Sequence, residues 1–433
     1  MTTDARGGAG TIASEPGTAA GHGTAAGPAE ATRPTRRRPR RALMIVHAYY
    51  EEDARVRREA DALVGAGWEV DVLGLRRPGE PETGVIAGVN LRRLPVHRHQ
   101  GAGIGVYLRE YGDFLVRSTF AATAAHRRRH YDLVEVHSLP DYLVFATTPL
   151  RMAGVPVLLD LHEAMPEFFR SRFPRANNPL TYWLLRLQEK FSTAFANEVL
   201  TVNEPLAERL RGIGLAASRL TVVMNSPDLG LFDQSVLPTR EFMADGTLRL
   251  VYTGALTPTY ELDVLLRGIA EIRRLRPGLP VACALYGRGD AQPGLESLAE
   301  ELGLAGVVTF PGRIPIEQIP AAIAASDIGA APTRLDAFTG MSLSTKLLEY
   351  AAMGKPVVAS RLPTVELYLG ADTVATYEPG DHGALAAAIL DLVDHPEQRA
   401  ARVRLTGARV GELDWRHQAE AYLGVVAKLT APR

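Results

Sequence analysis

The strongest structural signal in the chain lies in Thr339-Gly-Met-Ser-Leu-Ser-Thr-Lys-Leu-Leu-Glu-Tyr350 and its continuation Ala-Ala-Met-Gly-Lys-Pro-Val-Val-Ala-Ser360. A Gly/Ser turn leads into a short helix, and a Gly-Lys-Pro exit leads from that helix into an apolar strand. Continuous apolar strands that are reached through helices are typical of parallel sheets covered on both faces. The stretch therefore predicts an α/β fold.

The same stretch also indicates a binding site for an anion. Lys346 lies in the first turn of the helix, and Glu349 follows three residues later. Free amide groups and the helix dipole at such a start favour an anion such as a diphosphate, and Lys346 adds a point charge. Glu349 can accept two hydrogen bonds from a ribose diol. A Lys–Glu pair on an ordinary helix would explain the charges but not the Gly-Lys-Pro exit.

Short apolar strands alternate with helical segments on both sides of this stretch. The first half has predicted strands at 42–46, 69–73, 131–136, 155–161 and 198–202, and a helix over 53–66. The second half has strands at 248–252, 281–286, 307–310, 328–331 and 356–359, and a helix over 260–275. This pattern predicts two doubly wound halves joined near residues 226–246. A last amphipathic helix is predicted over 414–429.

Length and composition restrict the functional class. The 433 residues correspond to two or three domains. Lys+Arg 48 nearly cancels Asp+Glu 49, so no overall field draws the chain to nucleic acid or to an anionic membrane. The single cysteine, Cys283, excludes a disulfide framework and a cysteine-based metal site. No apolar run reaches the roughly 18–20 residues that span a bilayer, so we expect a soluble cytoplasmic protein.

Residues 1–41 differ from the rest of the chain because they contain almost no large apolar side chains. Such a segment cannot offset the entropy of folding, so we expect a disordered basic tail. It also lacks the apolar stretch of a secretory signal. An alternative role is weak electrostatic docking of its last arginines on anionic lipid, which would make the protein peripheral to the inner membrane face.

The loop after the first strand contains Tyr49, Tyr50 and Asp53. In open parallel sheets, ligands bind at the carboxyl ends of the strands, so this loop is a candidate site. It lacks the G-x-G-x-x-G pattern of a dinucleotide-binding turn. We expect it to contact a hydroxylated ligand at a helix N-terminus.

Two other strands end in a histidine with an acid nearby. They contain His137 and His162, and Glu163 follows the second histidine. Two histidines at strand ends that face one cleft are less easily explained as structural than a single one, and we expect at least one to touch substrate. A metal would need a third well-placed ligand, and no such ligand is evident from the sequence.

Two glycine turns in the second half are weaker signals. Gly287-Arg-Gly289 carries Arg288 between a strand and a helix, and Phe310-Pro-Gly-Arg-Ile-Pro315 carries Arg313 and Ile314. Many strand-to-helix turns look like the first. The backbone of the second could pair with the edge of a planar base.

Together these motifs resemble the family 4 glycosyltransferases, whose GT-B fold has two facing Rossmann-like domains with a cleft between them. The resemblance covers residues 42 to about 430. Its marks are 53–63, Asp160-Leu-His-Glu163, Leu200-Thr-Val-Asn-Glu204, Tyr252-Thr-Gly-Ala-Leu256, 287–289 and Lys346-Leu-Leu-Glu-Tyr350 with Gly354-Lys-Pro356. Their order and spacing together are specific, although no single motif is.

The resemblance implies transfer of a sugar from a UDP- or GDP-sugar to a hydroxyl acceptor, with retention of configuration and without a metal or other cofactor. It implies an acceptor domain over 42–230, a donor domain over 231–411 and a helix over 412–433 that packs back towards the acceptor domain. In this interpretation Glu349 binds ribose, the 313–314 turn reads the base and His137 lies near the donor sugar. The implied donor-binding residues are Gly254, Arg288, Arg313, Ile314, Gly340, Met341, Ser342, Leu343, Lys346 and Glu349. The catalytic candidates are His137, His162 and Lys346, and the acceptor side has Tyr49, Tyr50, Asp53 and Glu163.

The chain departs from the family pattern at two places. Met341 stands where the family has the first glutamate of a pair, and Asp336 is a candidate replacement. Ala255 and Tyr260 stand where the family usually has an Arg and a Lys for the phosphates. Lys346, with Arg334 as a second candidate, would have to compensate.

Several functional alternatives remain open from the sequence. The acceptor could belong to polysaccharide, glycolipid or natural-product glycoside synthesis. The missing phosphate ligands also fit a non-catalytic partner protein, and a nucleotide-sugar epimerase shares the fold. Aromatic residues mixed with arginines, from Tyr107 to Phe114 and from Phe168 to Phe173, fit either contact with a lipid-linked acceptor at a membrane or ordinary packing on the sheet.

Overall fold

The computed structural model describes residues 38–99, 103–173, 178–237 and 240–431. Most of the predicted basic tail, residues 1–37, therefore lies outside the described residues. Within the described part, no helix is both long and apolar enough to cross a bilayer. Residues 39–431 of that part lie in one compact unit.

The first half of this unit contains one sheet and its covering helices. In chain order it has β1 (Arg41–Val46), α1 (Ala54–Gly65), β2 (Glu69–Leu75), β3 (Thr83–Ile86), β4 (Val89–Leu94), α2 (Ile104–Arg129), β5 (Leu133–His137), α3 (Thr148–Met152), β6 (Val157–Leu161), α4 (Met165–Arg172), α5 (Pro179–Phe195), β7 (Glu198–Thr201), α6 (Glu204–Gly212) and β8 (Leu220–Val222). The strand order is β3-β4-β2-β1-β5-β6-β7-β8. Every pair is parallel except β3 with β4.

The second half repeats this architecture. It has β9 (Leu248–Thr253), α7 (Leu262–Leu275), β10 (Val281–Tyr286), α8 (Gln292–Glu301), β11 (Val308–Gly312), α9 (Ile319–Ala324), β12 (Ile328–Ala331), α10 (Thr345–Ala352), β13 (Val357–Ser360), α11 (Pro363–Tyr368), β14 (Ala375–Tyr377), α12 (His382–Asp394), α13 (Pro396–Glu412) and α14 (Trp415–Leu429). Its strands lie in the order β11-β10-β9-β12-β13-β14 and are all parallel.

The predicted α/β fold class is confirmed. Central strands such as β5, β6 and β12 are buried along their whole length, as expected for strands covered by helices on both faces. The sequence analysis missed β3, β4, β8 and β14, which lie at or next to the sheet edges. The β3–β4 hairpin turns at Ala87 and Gly88, which both have positive φ angles, and Ala at such a position hides the usual turn signal.

The last helix returns to the first half of the chain. Tyr422, Val425 and Val426 of α14 are buried in the same apolar cluster as Met44 of β1 and Val56 of α1. The hydroxyl of Tyr422 also donates a 2.6 Å hydrogen bond to Glu135 in β5. The C-terminal helix is therefore part of the core of the first half.

Candidate functional site

The carboxyl ends of the two sheets are connected by polar contacts between the halves. Asn203 Nδ2 donates to the Met341 carbonyl at 2.7 Å, and Ser171 Oγ donates to Asp336 Oδ2 at 2.6 Å. Three ion pairs also join the two halves: Arg57–Glu317, Arg172–Asp290 and Arg313–Glu52. A site that uses loops from both sheets is therefore assembled in this conformation.

The turns after β9 and β10 are packed against each other backbone to backbone. A Cβ atom on Gly287 would lie 1.7 Å from the Gly254 carbonyl oxygen, and one on Gly289 would lie 2.0 Å from the Leu256 carbonyl oxygen. Gly254 N also donates to Tyr286 O at 2.9 Å. The glycines of this motif are thus required for close packing of the turns, and they place Gly254 beside the start of α10.

Lys346 is a buried cation at the start of α10. Its Nζ lies 3.7 Å from the centroid of the Tyr260 ring and 5.2 Å from that of Tyr252, and it donates to Ser344 Oγ at 3.1 Å. It also lies 3.5 Å from the position that a Cβ on Gly254 would take. Among the described residues no carboxylate forms an ion pair with it. Burial lowers the pKa of Lys346 to about 7, although Glu349 opposes the shift.

The N-terminus of α10 is open next to this lysine. Ser344 at the N-cap position accepts no hydrogen bond from the first turn of the helix. The helix therefore leaves unpaired amide groups and the positive end of its dipole close to the buried ammonium group. The two features together form a cradle for an anion.

Glu349 lies one turn further along α10, partly exposed. Burial raises its pKa, whereas the charges of Arg58 and Lys346 lower it. Arg58 comes from α1 in the other half and lies 5.5 Å over the Trp415 ring, with Asn225 as its hydrogen-bond partner. The sequence analysis did not single out Arg58, although it lies within the 53–63 motif.

The loop before α10 is held by Asp336. Its Oδ1 accepts from the backbone amides of Phe338 and Thr339 at 2.9 Å each, and its Oδ2 accepts from Ser171. Both oxygens are therefore engaged within the protein, and the replacement of the missing glutamate by Asp336 stays a prediction. The Arg334 guanidinium lies 3.7 Å from the same carboxylate and forms an ion pair with it. Its predicted role in binding phosphate stays a prediction.

The rest of this loop lies between the two halves. Gly340 and Met341 belong to a single 3-10 turn, and Ser342 and Leu343 lead from it into α10. Met341 packs against the core of the first half. Asn203, which the sequence analysis did not single out, holds this loop by its contact with the Met341 carbonyl.

The predicted base-reading turn lies at the rim of the cleft. Arg313 is exposed and pairs with Glu52 of the first half, and Ile314 beside it is half-buried. Arg288 is exposed in the neighbouring turn. The structure thus brings these residues to the same sheet edge as Lys346, but their side chains remain at its surface.

On the opposite side, Asp160 lies between the two predicted histidines. Its Oδ2 is 3.1 Å from His137 Nδ1 and 2.7 Å from His162 Nε2, and the two rings are stacked with centroids 5.7 Å apart. Burial lowers the pKa of His137, but the hydrogen bond to Asp160 and the charges of Glu135, Asp160 and Asp53 together outweigh burial, so the pKa is raised. The pKa of His162 is lowered, mainly by burial. Asp160 therefore favours the protonated form of His137.

The structure brings a third candidate metal ligand, Asp160, to the two histidines, which was not evident from the sequence. Two groups of side chains have ligand atoms that all lie within 4.8 Å of one another. One group is His137, Asp160 and His162, and the other is Glu59, Glu135 and His137. The strand period of two puts Asp160 and His162 on one face, a signal that the sequence contained. In the first group, Asp160 Oδ2 contacts both imidazole rings, so the three side chains form a hydrogen-bonded cluster.

The predicted acceptor-side residues divide into two groups. Asp53 caps α1 through Arg55 N at 3.2 Å and also pairs with the Arg55 guanidinium. Burial is the main cause that raises the pKa of Glu163 and that of Tyr260; the charge of Glu163 adds to the rise for Tyr260, and Arg55 opposes both. Glu163 and Arg55 of the first half are therefore close enough to Tyr260 of the second half for their charges to act on it.

Tyr50 is only 3% exposed and packs in the apolar core of the first half, and its assignment to the acceptor side stays a prediction. Tyr49 lies under the Arg77 guanidinium, 4.0 Å from its ring centroid.

The aromatic residues considered for membrane contact are mostly packed inside the protein. Phe114 and Phe169 are buried, and Tyr107 and Phe169 both contact the ring of Phe173. Phe168 lies against Phe338 of the other half, with ring centroids 5.3 Å apart. The alternative of ordinary packing therefore holds for these residues.

Two family models match the chain. The model described as "Glycosyl transferase 4-like domain" matches residues 53–226, and "Glycosyl transferases group 1" matches residues 247–395. The boundary between them falls between the two sheets. His137 and His162 lie within the first matched range, and Lys346 with the start of α10 lies within the second.

Curated relatives include bacterial sugar transferases. The chain is 33% identical over 38% of its length to a GDP-mannose-dependent alpha-(1-6)-phosphatidylinositol monomannoside mannosyltransferase of Mycolicibacterium smegmatis, covering 47% of that protein. It is 28% identical over 81% of its length to a D-inositol 3-phosphate glycosyltransferase of Nocardioides sp., covering 79% of it. The match spans about half the length of the first relatives, at 47% and 54%.

Solved structures share the fold over most of the chain. Sucrose-phosphate synthase from Thermosynechococcus elongatus superposes with a TM-score of 0.72 at 20% identity, covering 90% of this chain and 100% of that one. Anabaena HepE in complex with UDP-glucose gives a TM-score of 0.66 at 16% identity, covering 89% and 99%. At these identities the likeness establishes the two-sheet fold alone.

Proposed function

Because the chain belongs to the family 4 glycosyltransferases of the GT-B fold, we propose that it transfers a sugar from a nucleoside-diphosphate sugar to an acceptor hydroxyl. The observation that carries this proposal is the buried ammonium group of Lys346 beside the open N-terminus of α10. A buried cation without an ion-pair partner among the described residues is costly unless an anion completes the site. A diphosphate supplies that anion.

Lys346 occupies the space that the two substituted positions leave free. Ala255 and Tyr260 cannot bind phosphate by charge, but the Lys346 ammonium lies over the Tyr260 ring and next to Gly254. The positive charge is thus supplied from α10 rather than from the loop after β9. Glu349, one turn along the same helix, is placed to accept hydrogen bonds from the ribose of the same nucleotide.

The proposed reaction breaks the bond between the anomeric carbon and the diphosphate oxygen. The acceptor oxygen forms a new bond to that carbon, and its proton passes to the leaving diphosphate. Lys346 and the amides at the start of α10 stabilise the charge that develops on the diphosphate. Without a matched pair of protein carboxylates at the reacting centre, we propose attack on the same face, with retention of configuration.

The His137–Asp160–His162 cluster faces this site from the first sheet. We propose that an imidazole of this cluster holds a donor sugar hydroxyl and that Asp53, Arg55 and Glu163 provide polar partners for the acceptor. We propose that no resident metal is needed, because the ammonium group and the helix dipole already supply positive charge. The relatives act on lipid and small-molecule acceptors, so both classes are candidates.

Isothermal titration with UDP, GDP and ADP, followed by product analysis with the corresponding hexose donors, tests this proposal. We expect one nucleotide to bind and its sugar to be transferred with the donor configuration kept. The substitutions at Met341, Ala255 and Tyr260 favour a second candidate, a non-catalytic partner protein. Absence of binding across the panel would support that candidate, and sugar conversion without acceptor would indicate an epimerase.

A further inference from the structure

The outer side of α5 has a continuous apolar surface. We call the residues Leu180, Trp183, Leu184, Leu187 and Phe191 the α5 stripe. Their spacing places them on one face of the helix. Four of them are strongly exposed: Leu180 at 65%, Trp183 at 56%, Leu184 at 50% and Phe191 at 58%. The stripe borders an open groove of about 610 Å³, to which Phe145 and Phe195 also contribute.

The polarity of α5 is reversed relative to an ordinary surface helix. Its three buried residues are Glu189, Ser192 and Thr193, which are all polar. Glu189 pairs with Arg209 of α6 at 2.7 Å, and Thr193 donates to the Glu189 carbonyl at 3.0 Å. Since the inner face is satisfied by polar contacts, burial in this chain does not explain the apolar outer face. An apolar surface of this kind marks an interaction site.

The exposed charged side chains of α4 and α5 are all cations. Both carboxylates of α4 and α5, Glu167 and Glu189, are buried and paired with Arg209. The exposed cations Arg170 and Lys190, and the half-buried Arg186 and Arg151, form no ion pair with a described carboxylate. Arg170 and Arg186 lie 4.8 Å and 5.9 Å from the Tyr182 ring, and Arg151 lies 4.7 Å from the Phe195 ring. The apolar stripe is therefore bordered by cations.

We propose that the α5 stripe docks the protein on the surface of an anionic lipid bilayer. Leu, Phe and Trp on one face with Lys and Arg beside them are what a helix lying in the lipid interface needs, because the apolar face enters the acyl boundary and the cations meet the headgroups. A second copy of the chain fits less well. A symmetric contact through the stripe would bring these cations close together without carboxylates between them.

The position of α5 connects this surface with the cleft. Tyr182 near its start donates to Glu167 of α4 at 3.0 Å, and α4 ends at Arg172, which pairs with Asp290 of the second half. The beginning of the stripe is thus close to the cleft rim on the side of the first sheet. If the proposed transferase function holds, a docked molecule would present this rim to hydroxyl groups of lipid headgroups. The docking itself does not depend on that function.

Co-sedimentation with vesicles tests the docking, without donor present. We expect the full chain to bind vesicles of phosphatidylcholine with phosphatidylglycerol and to bind phosphatidylcholine alone much more weakly. The double variant Leu184→Ser/Phe191→Ser should reduce binding at least about tenfold, because each side chain removes buried apolar area. Leu405→Ser is the matched control, since Leu405 of α13 is equally exposed at 51%. Equal sedimentation of the double variant and the wild type would overturn the proposal.

Charge and fluorescence give two independent readouts. Arg186→Glu/Lys190→Glu should abolish the preference for phosphatidylglycerol, whereas Arg404→Glu on α13 should keep it. Trp183 emission should shift to the blue with anionic vesicles, and Trp183→Phe should remove that shift while Trp68 and Trp415 remain.

Sedimentation equilibrium without lipid tests the alternative occupant. A wild-type dimer that the Leu184→Ser/Phe191→Ser variant converts to monomer would overturn lipid docking in favour of a second copy. Melting temperatures and nucleotide titrations of the same variants show whether they are folded. Loss of nucleotide binding in every chain, wild type included, would count against the proposed function and not against docking.

Discussion

The Lys346 ammonium lies 3.7 Å from the centroid of the Tyr260 ring, so a lysine of α10 is held by an aromatic residue of the loop after β9. A cation over a ring face is attracted by roughly 0.5–2 kcal/mol, which offsets only part of the cost of burying the charge. The rest of that cost is relieved when an anion binds. The contact therefore positions the charge for a ligand.

Lys346→Met should weaken nucleoside-diphosphate binding roughly 10- to 150-fold, because a charge-assisted contact to phosphate contributes about 1.5–3 kcal/mol. Methionine keeps the length and apolar stem of the side chain. Isothermal titration measures the effect. Lys428→Met is the control, since Lys428 is exposed and pairs with Glu198 away from the cleft. Unchanged affinity in Lys346→Met would remove this lysine from the donor site.

Donor binding should take up protons between pH 7 and 9. The pKa of the free Lys346 is lowered to about 7 by burial, and a bound diphosphate raises it. A lysine that is partly neutral at pH 8 must therefore gain a proton on binding, and affinity should fall as pH rises. Titration in buffers of different ionisation enthalpy measures the uptake. If the observed binding enthalpy did not change with the ionisation enthalpy of the buffer, no proton would be taken up, and this would contradict the placement of Lys346 at the diphosphate.

The same lysine should make stability depend on pH. The pKa of Lys346 is the ordinary 10.5 in the unfolded chain and about 7 in the folded chain. Between pH 7 and 10.5 the unfolded chain therefore binds more protons than the folded chain. The free energy of unfolding then rises with pH through this window. We expect the melting temperature of the wild type to rise from pH 7 to 9 relative to that of Lys346→Met. Parallel curves for the two proteins would speak against a strongly lowered pKa.

Asp160→Asn should lower the pKa of His137, because the Asp160 carboxylate raises that pKa by its hydrogen bond and its charge, against the lowering by burial. Stability that the charged His137–Asp160 pair contributes is present below the ordinary histidine pKa of 6.5 and is lost as pH rises through the raised value. We expect a loss of about 1–3 kcal/mol at low pH. Imidazole NMR titration checks the shift, with His126 as the unaffected control.

Removal of divalent metals should leave nucleotide binding unchanged, because Lys346 and the start of α10 supply the positive charge. Titration after treatment with EDTA, and again with added magnesium, tests this expectation. The His137–Asp160–His162 group makes the test necessary, since its ligand atoms are close enough for an ion. Binding that is lost with EDTA and restored by metal would assign that group to a metal site.

Gly287→Ala should destabilise the second half by about 1–3 kcal/mol, because the new Cβ would lie 1.7 Å from the Gly254 carbonyl and the residue has a φ of +147°. Differential scanning calorimetry should show a lower melting temperature. Gly294→Ala in α8 is the control, since no described atom lies within 4 Å of its new Cβ. If both variants melt alike, the close packing of the turns is not needed for stability.

The central strands of both sheets could be predicted from the sequence because buried parallel strands are continuous apolar runs, such as 281–286 and 328–331. The edge strands β8 and β14 could not, since each has only three residues and offers no period to detect. In the site, Lys346 and Glu349 were predicted because turn, charge and helix start lie in one short stretch. Asp160, Arg58 and Asn203 were missed because their role depends on partners that are distant in the sequence.

The amino-acid sequence by itself determined the α/β class and the family, because both follow from local periodicity and from short motifs whose order is preserved along the chain. Only the tertiary structure decided that Lys346 meets Tyr260, that Asp160 lies between two histidines and that the α5 stripe is exposed. Each of these depends on which elements pack together at the strand ends or leave a helix uncovered. Such contacts join residues whose separation along the chain carries no signal of their closeness in space.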